Sequence, residues 1–167
     1  MVFRLALESG SRYRAVAAVV ASMPAKSKCV TSKVPVSVLV MNGTDDPILP
    51  YEGGAVSKRN SSEQERGSVV STEDTIAFWL DNNGITSQPA VHLLPNKSKT
   101  DRSRVVKTEY VNGKGNTEVV LYKIKKGGHV EPSLSEHYRR VFQLVVGRQN
   151  KDIEMSEEVW KFFARNN

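Results

Sequence analysis

The sequence has little cysteine and no long apolar run. A single cysteine, Cys29, stands among 167 residues, which excludes a disulfide within the chain. One thiol cannot build a zinc site, and the three histidines, His92, His129 and His137, lack a metal-ligand spacing such as His-Glu-x-x-His. No apolar stretch approaches the roughly 20 residues that a helix needs to cross a bilayer. We therefore expect no cofactor, no metal and no membrane partner.

Aromatic residues are also few, at 7% of the composition. The chain is basic, with a formal net charge of +6. A basic balance raises the question of a nucleic-acid partner, because Lys and Arg displace counterions from phosphates. The basic residues are spread over segments 97–104, 123–126 and 139–140, and no aromatic residues alternate with them to form a stacking platform. We predict solvated surface charge and no nucleic-acid partner.

The first 23 residues have two interpretations. Arg12 and Arg14 precede the apolar run AVAAVVASM, which is the order of a secretory signal. However, Glu8 and an apolar cluster over residues 2–7 precede that run, and favour a helix that ends near Gly10. We predict this helix, without an N-terminal cap, followed by a buried parallel strand over residues 15–21. The segment is therefore not a convincing signal peptide.

The remaining pattern alternates between apolar strands and capped helices. A second strand is expected over 36–42, a helix from Ser71 to about Gly84, and a hairpin of strands 105–111 and 117–124. Polar loops are expected over 58–67 and 95–104, a mixed segment with a short helix over 134–146, and a last helix capped by Ser156. Such alternation predicts one α/β layered domain with a parallel sheet.

Three polar residues follow predicted strands. Asp45 and Asp46 come directly after the second strand, and His129 ends the Gly-Gly-His motif after a later strand. Functional groups of parallel sheets gather at the carboxyl ends of strands. A histidine there suits general acid–base work, although an isolated loop histidine often has no such role. Two aspartates suggest a hard-cation site, but no alternating oxygen ligands surround them.

An acid followed by a histidine is also the chain order of the last two triad members in α/β-hydrolases. Asp46 is the better candidate for the acid because Pro47 restricts the turn that follows it, whereas Asp45 suits a turn-forming role. No serine lies in a Gly-x-Ser-x-Gly elbow, so the sequence contains no recognisable nucleophile.

Four stretches together resemble the C-terminal half of the polyhydroxybutyrate depolymerase and feruloyl-esterase-like family of secreted α/β-hydrolases. In chain order they read RYRAVAAVVASMP, PVSVLVMNGTDDPILPYEGG, VVLYKIKKGGH and LVVGRQNKDIEMSEEVWKFF. The resemblance implies that Asp46 and His129 are the catalytic acid and base. It also implies that the chain begins just after the nucleophile elbow. One departure is Val130–Ser133, where the family usually has a Thr-Trp-Pro-Gly-like stretch. Because of this departure, the resemblance defines neither the wall of the substrate pocket nor the preferred substrate.

The resemblance implies a single partial domain over residues 1–167. Its fold would be the C-terminal half of an α/β-hydrolase, with parallel strands, flanking helices and a hairpin before the last strand. The implied activity is serine-esterase hydrolysis of polyhydroxyalkanoate, feruloyl or short-chain esters, in a secreted protein. The chain alone would be inactive, and its exposed strand over 15–21 would promote self-association or aggregation. The alternative is a non-catalytic interaction module derived from the same fold.

Overall fold

The computed structural model of the protein describes residues 1–30, 33–56 and 67–167. Within these residues the chain forms a mixed α/β structure around a five-stranded sheet of order β1-β2-β7-β6-β5. The strands are β1 (Ala15–Val19), β2 (Ser37–Gly43), β3 (Gly54–Ala55), β4 (Ser68–Val69), β5 (Ala90–Leu93), β6 (Arg104–Tyr110) and β7 (Val119–Lys125). The helices are α1 (Val2–Ser9), α2 (Thr72–Asn83), α3 (Arg140–Val146) and α4 (Met155–Arg165). β3 and β4 form a separate two-stranded sheet.

The main sheet is parallel in one half and antiparallel in the other. β1, β2 and β7 run parallel to one another, whereas β6 and β5 are each antiparallel to their preceding neighbour. Every residue of β2 is buried, as expected of a central strand covered on both faces. The predicted parallel sheet is therefore confirmed only for three of the five strands.

Helices cover both faces of the sheet. Phe3 of α1 and Trp79 of α2 pack with the β2 side chains Val38 and Val40 on one face. On the other face, Phe162 of α4 packs with the β2 side chain Leu39. The alternation along β2 sends successive side chains to opposite cores. The result is a three-layered arrangement that fixes the ends of β2 and β7 firmly in place.

The predicted helix ends are partly confirmed. α1 ends at Ser9, and α2 begins after Ser71, whose hydroxyl accepts a hydrogen bond from the Asp74 backbone N–H at 2.9 Å. α2 ends at Gly84, which has a φ of +64°. The predicted cap of the last helix is wrong, because Ser156 lies inside α4 and the residue at the N-cap is Glu154. The carboxylate of Glu154 instead accepts hydrogen bonds from the preceding loop at Ser133 and Leu134.

The strand predicted over 15–21 is shorter and less buried than expected. β1 ends at Val19, because Val20 adopts a φ of +46° and Ala21 donates its N–H to the Asn42 side chain at 3.0 Å. Only Val16 and Ala18 are buried, since β1 lies at the edge of the sheet in the described part of the chain. The prediction of a strand buried on both faces is therefore wrong.

Two further predictions about the strands need correction. The predicted hairpin exists as β6 and β7, but β7 is itself the last strand in the described residues, so the hairpin does not precede a last strand. β5 was not predicted: its four residues, AVHL, are all exposed and lack the regular alternation of apolar and polar residues that marks a half-buried strand.

The predictions for the segments between the strands and helices are confirmed only in part. In the mixed segment 134–146, only the last seven residues are helical, as α3. The loop over 95–104 is confirmed up to Ser103, because β6 begins at Arg104. The loop predicted over 58–67 falls outside the described residues except at Gly67. No helix in the described residues has the length and apolar character that crossing a membrane requires.

Candidate active site

The candidate site lies where β2 and β7 end side by side. The two strands are paired in parallel register up to Gly43 and Ile124. Beyond that pair, the Thr44 N–H donates to the Ile124 carbonyl at 3.0 Å, and the Asp45 N–H donates to the Gly127 carbonyl at 2.9 Å. These hydrogen bonds extend the pairing into the two loops. The loop after β2 is thereby held against the loop after β7.

Glycine is required where these loops pack. A Cβ at Gly43 would collide with the Gly127 carbonyl, and a Cβ at Gly128 would collide with the Val146 carbonyl at the end of α3. The His129 backbone N–H also donates to the Val146 carbonyl. Because these glycines have no side chain, the loop after β2, the loop after β7 and the end of α3 pack with their backbones in contact. This packing fixes the backbone at His129 and thereby the direction of its side chain.

The structure brings Asp46 and His129 together. The distance between Asp46 Oδ2 and His129 Nδ1 is 2.8 Å. The Asp46 side chain is 3% exposed, whereas the His129 side chain is 29% exposed. Because an ionised carboxylate can only accept a hydrogen bond, Nδ1 carries the proton. The unprotonated nitrogen of the neutral imidazole is then Nε2, and its lone pair can accept a proton, as a general base does.

The second Asp46 oxygen is held by the backbone. Oδ1 accepts hydrogen bonds from the N–H groups of Ile48 and Leu49, both at 2.8 Å. The expectation that Asp45 forms this turn is therefore wrong. The Asp45 carboxylate is exposed and accepts a hydrogen bond only from the Thr44 hydroxyl, at 3.0 Å, among the described residues. Asp46 shapes the turn with one oxygen and orients the histidine with the other.

The pairing changes the acid–base properties of His129. The hydrogen bond that His129 donates to Asp46 raises the pKa of His129 above its ordinary value of 6.5. Partial burial opposes this effect, and the negative charge of Asp46 adds to it. The imidazolium form is thus stabilised by the aspartate beside it, as required of a base that must hold a proton during a reaction.

No nucleophile contacts the histidine within the described residues, where Asp46 is the only hydrogen-bond partner of the His129 side chain. His92 lies exposed on β5, 3.8 Å from Glu109, and His137 is exposed in the loop before α3. The described part of the chain contains no cluster of three or more histidine, cysteine or carboxylate side chains arranged to bind a metal.

Two cavities lie at opposite ends of the sheet. The larger, of about 540 Å³, is lined by residues that precede β1 and β2, such as Arg14 and Pro35, and is remote from His129. The smaller, of about 450 Å³, is lined by Asp45 and Lys126, which belong to the loops after β2 and β7, and by residues of α3 and of the segment that follows it. Sequence reasoning missed this second cavity, because α3 reaches the strand ends only through tertiary packing.

Comparison of the chain with protein-family models, with curated proteins and with solved structures found no match. The geometry of the site therefore carries the functional interpretation.

Proposed function

We propose that Asp46 and His129 are the acid and base of a serine-type hydrolase of carboxylic esters. The observation that carries this proposal is the 2.8 Å contact between Asp46 Oδ2 and His129 Nδ1, at the carboxyl ends of adjacent parallel strands. A buried carboxylate and a partly exposed imidazole in this arrangement match the geometry of the orienting acid and general base of a triad.

In the proposed reaction His129 Nε2 takes the proton of a serine hydroxyl while the serine oxygen attacks the ester carbonyl. His129 then returns this proton to the alcohol that leaves, and a covalent acyl-serine remains. Water, deprotonated by the same nitrogen, hydrolyses the acyl-serine and releases the acid. Asp46 stabilises the imidazolium formed in both steps.

The serine and the oxyanion-hole donors are proposed to come from polypeptide beyond these 167 residues, because no Gly-x-Ser-x-Gly motif is present in the sequence. We propose accordingly that the fold corresponds to the C-terminal half of an α/β-hydrolase, consistent with the parallel β1-β2-β7 portion of the sheet. The positions of Asp46 after β2 and of His129 after β7, at the carboxyl ends of two parallel strands, support this proposal.

The test is hydrolysis of a short-chain aryl ester by the gene product in its natural length. His129→Ala removes the only base of the proposal, so we expect a loss of at least about 10³-fold in kcat. His137→Ala removes an exposed histidine of another loop and should leave the rate unchanged. Equal rates for the His129→Ala variant and the unchanged protein would refute the assignment.

A non-catalytic interaction module is the second candidate, because α3 exposes apolar side chains to solvent. Val141, Phe142, Leu144 and Val145 are 45–85% exposed, an unusual composition for a free helix face. An inactive gene product of natural length whose Asp46–His129 contact is nevertheless intact would favour this candidate.

A further inference from the structure

The cavity of about 450 Å³ at the loops after β2 and β7 combines positive charge with an apolar side chain. Lys126, Arg140 and Arg148 line it together with a single carboxylate, that of Asp45. Among the described residues, no carboxylate lies within ion-pair distance of any of these three cations. Three unpaired cations around one recess create a positive potential that attracts an anion.

Two residues that line the cavity adjoin the candidate active site. Asp45 directly precedes Asp46, and Gly147 packs against Gly128, which directly precedes His129. The cavity is therefore formed by the same packed loops that carry the proposed acid and base, and neither Asp46 nor His129 is among its lining residues. A recess of this volume suits one small organic group.

Lys126 has a backbone conformation that lysine rarely adopts. Its φ is +62°, in the left-handed region that favours glycine. Its N–H donates to the Thr44 hydroxyl at 2.8 Å, so the conformation is held by the packed loops.

The exposed Leu144 supplies an apolar surface at the same cavity. We propose that this cavity is a subsite for an ester with a free carboxylate, held by Lys126, Arg140 and Arg148, and with an apolar portion against Leu144. The inference rests on the proposed ester-hydrolase function and narrows its substrate class to half-esters of dicarboxylic acids and esters of similar anionic character. Arginine and lysine donate charge-assisted hydrogen bonds to such a carboxylate.

The test compares two ligands that differ in one charge. Monobutyl succinate carries a free carboxylate, and butyl methyl succinate is its neutral counterpart. Binding is measured by NMR titration of the gene product in its natural length, in a His129→Ala background so that neither ligand is hydrolysed. We expect the half-ester to bind at least about tenfold more tightly.

Three variants locate the source of this preference. Lys126→Gly removes the ammonium group and also relieves the positive φ, so we expect this variant to keep its fold, which its NMR spectrum checks in the same titration. Arg148→Gln should reduce the preference as well. Lys125→Gln is the matched control, because Lys125 is the exposed neighbour of Lys126 and does not line the cavity.

Equal affinity for the two ligands, or a preference that survives both Lys126→Gly and Arg148→Gln, would overturn the subsite. These outcomes are distinct from failure of the proposed function. If the gene product hydrolyses neutral aryl esters but shows no preference for the half-ester, the esterase assignment stands and the subsite does not. If the preference depends on Lys126 but no ester is hydrolysed, the anion site stands and the esterase assignment does not.

Discussion

Asp46 uses its two carboxylate oxygens for two different partners. Oδ1 accepts from two backbone N–H groups, and Oδ2 accepts from His129. The backbone hydrogen bonds prevent the carboxylate from rotating, so that the direction of Oδ2 does not depend on its contact with His129. Preorganisation of this kind lowers the cost of stabilising an imidazolium during a reaction.

The protonation state of His129 can be observed directly on the chain. We expect ¹⁵N NMR to show a pKa for His129 above 6.5 and, at high pH, a neutral imidazole whose proton is on Nδ1. In Asp46→Asn the main cause of the raised pKa is gone, so this pKa should fall. The resonances of His92 and His137, which make no hydrogen bond to Asp46, serve as internal references. A neutral ring protonated on Nε2 in the unchanged chain would contradict the assigned hydrogen bond.

The same pairing gives the stability of the fold a pH dependence of known sign. Because the pKa of His129 is raised by folding, the folded state binds the His129 proton more tightly than the unfolded state. The contribution to the free energy of unfolding is therefore fully present below about pH 6.5 and is lost as the pH rises through the pKa of folded His129.

Urea denaturation at about pH 5.5 and about pH 8.5 measures this effect. The difference in free energy of unfolding between the unchanged chain and His129→Gln should be larger at the lower pH. A difference that grows towards high pH would show that the pair acts with the opposite sign.

At the scale of the element, β1 is an edge strand among the described residues and lacks the usual protection within its own sequence. It contains only alanine and valine, and carries no charge, proline or bulge. The Arg14 carbonyl and the Val20 N–H form hydrogen bonds with β2. Successive backbone groups along a strand face opposite sides, so the N–H groups of Ala15, Ala17 and Val19 point away from the sheet. These groups are able to pair with another strand, so we expect the isolated chain to self-associate.

Two proline substitutions one residue apart test this edge. Ala17→Pro removes an N–H that faces outward, so we expect weaker self-association in sedimentation velocity and an unchanged circular dichroism spectrum. Ala18→Pro removes an N–H that faces β2 and should destabilise the sheet. Equal concentration-dependent association in Ala17→Pro and the unchanged chain would show that β1 is not the associating surface.

At the scale of the whole molecule, apolar pattern and turn chemistry predicted the elements that bury a face. β2 contains the apolar run 38–41, and α2 is marked by Ser71 at its start and Gly84 at its end. β5 could not be predicted in the same way, because all its residues are exposed and it exists only through pairing with β6.

The candidate site was predictable to a similar degree. The motifs around Asp46 and His129 indicated two residues at strand ends, and the structure places them in contact. The division of roles between Asp45 and Asp46 depends on hydrogen bonds to Ile48 and Leu49, which composition and spacing do not reveal. Arg140 and Arg148 reach the cavity through the packing of Gly128 against Gly147, a long-range contact with no local signal.

The most direct test of the account is the rate of ester hydrolysis by the gene product of natural length with Asp46→Asn. Asparagine retains an oxygen for the Ile48 and Leu49 N–H groups but presents its NH₂ group to His129 Nδ1. The imidazole proton then moves to Nε2, and no base remains for a serine. The account predicts an intact fold and a fall in kcat of roughly 10⁴-fold. A correctly folded variant that retains more than about a tenth of the rate would contradict it.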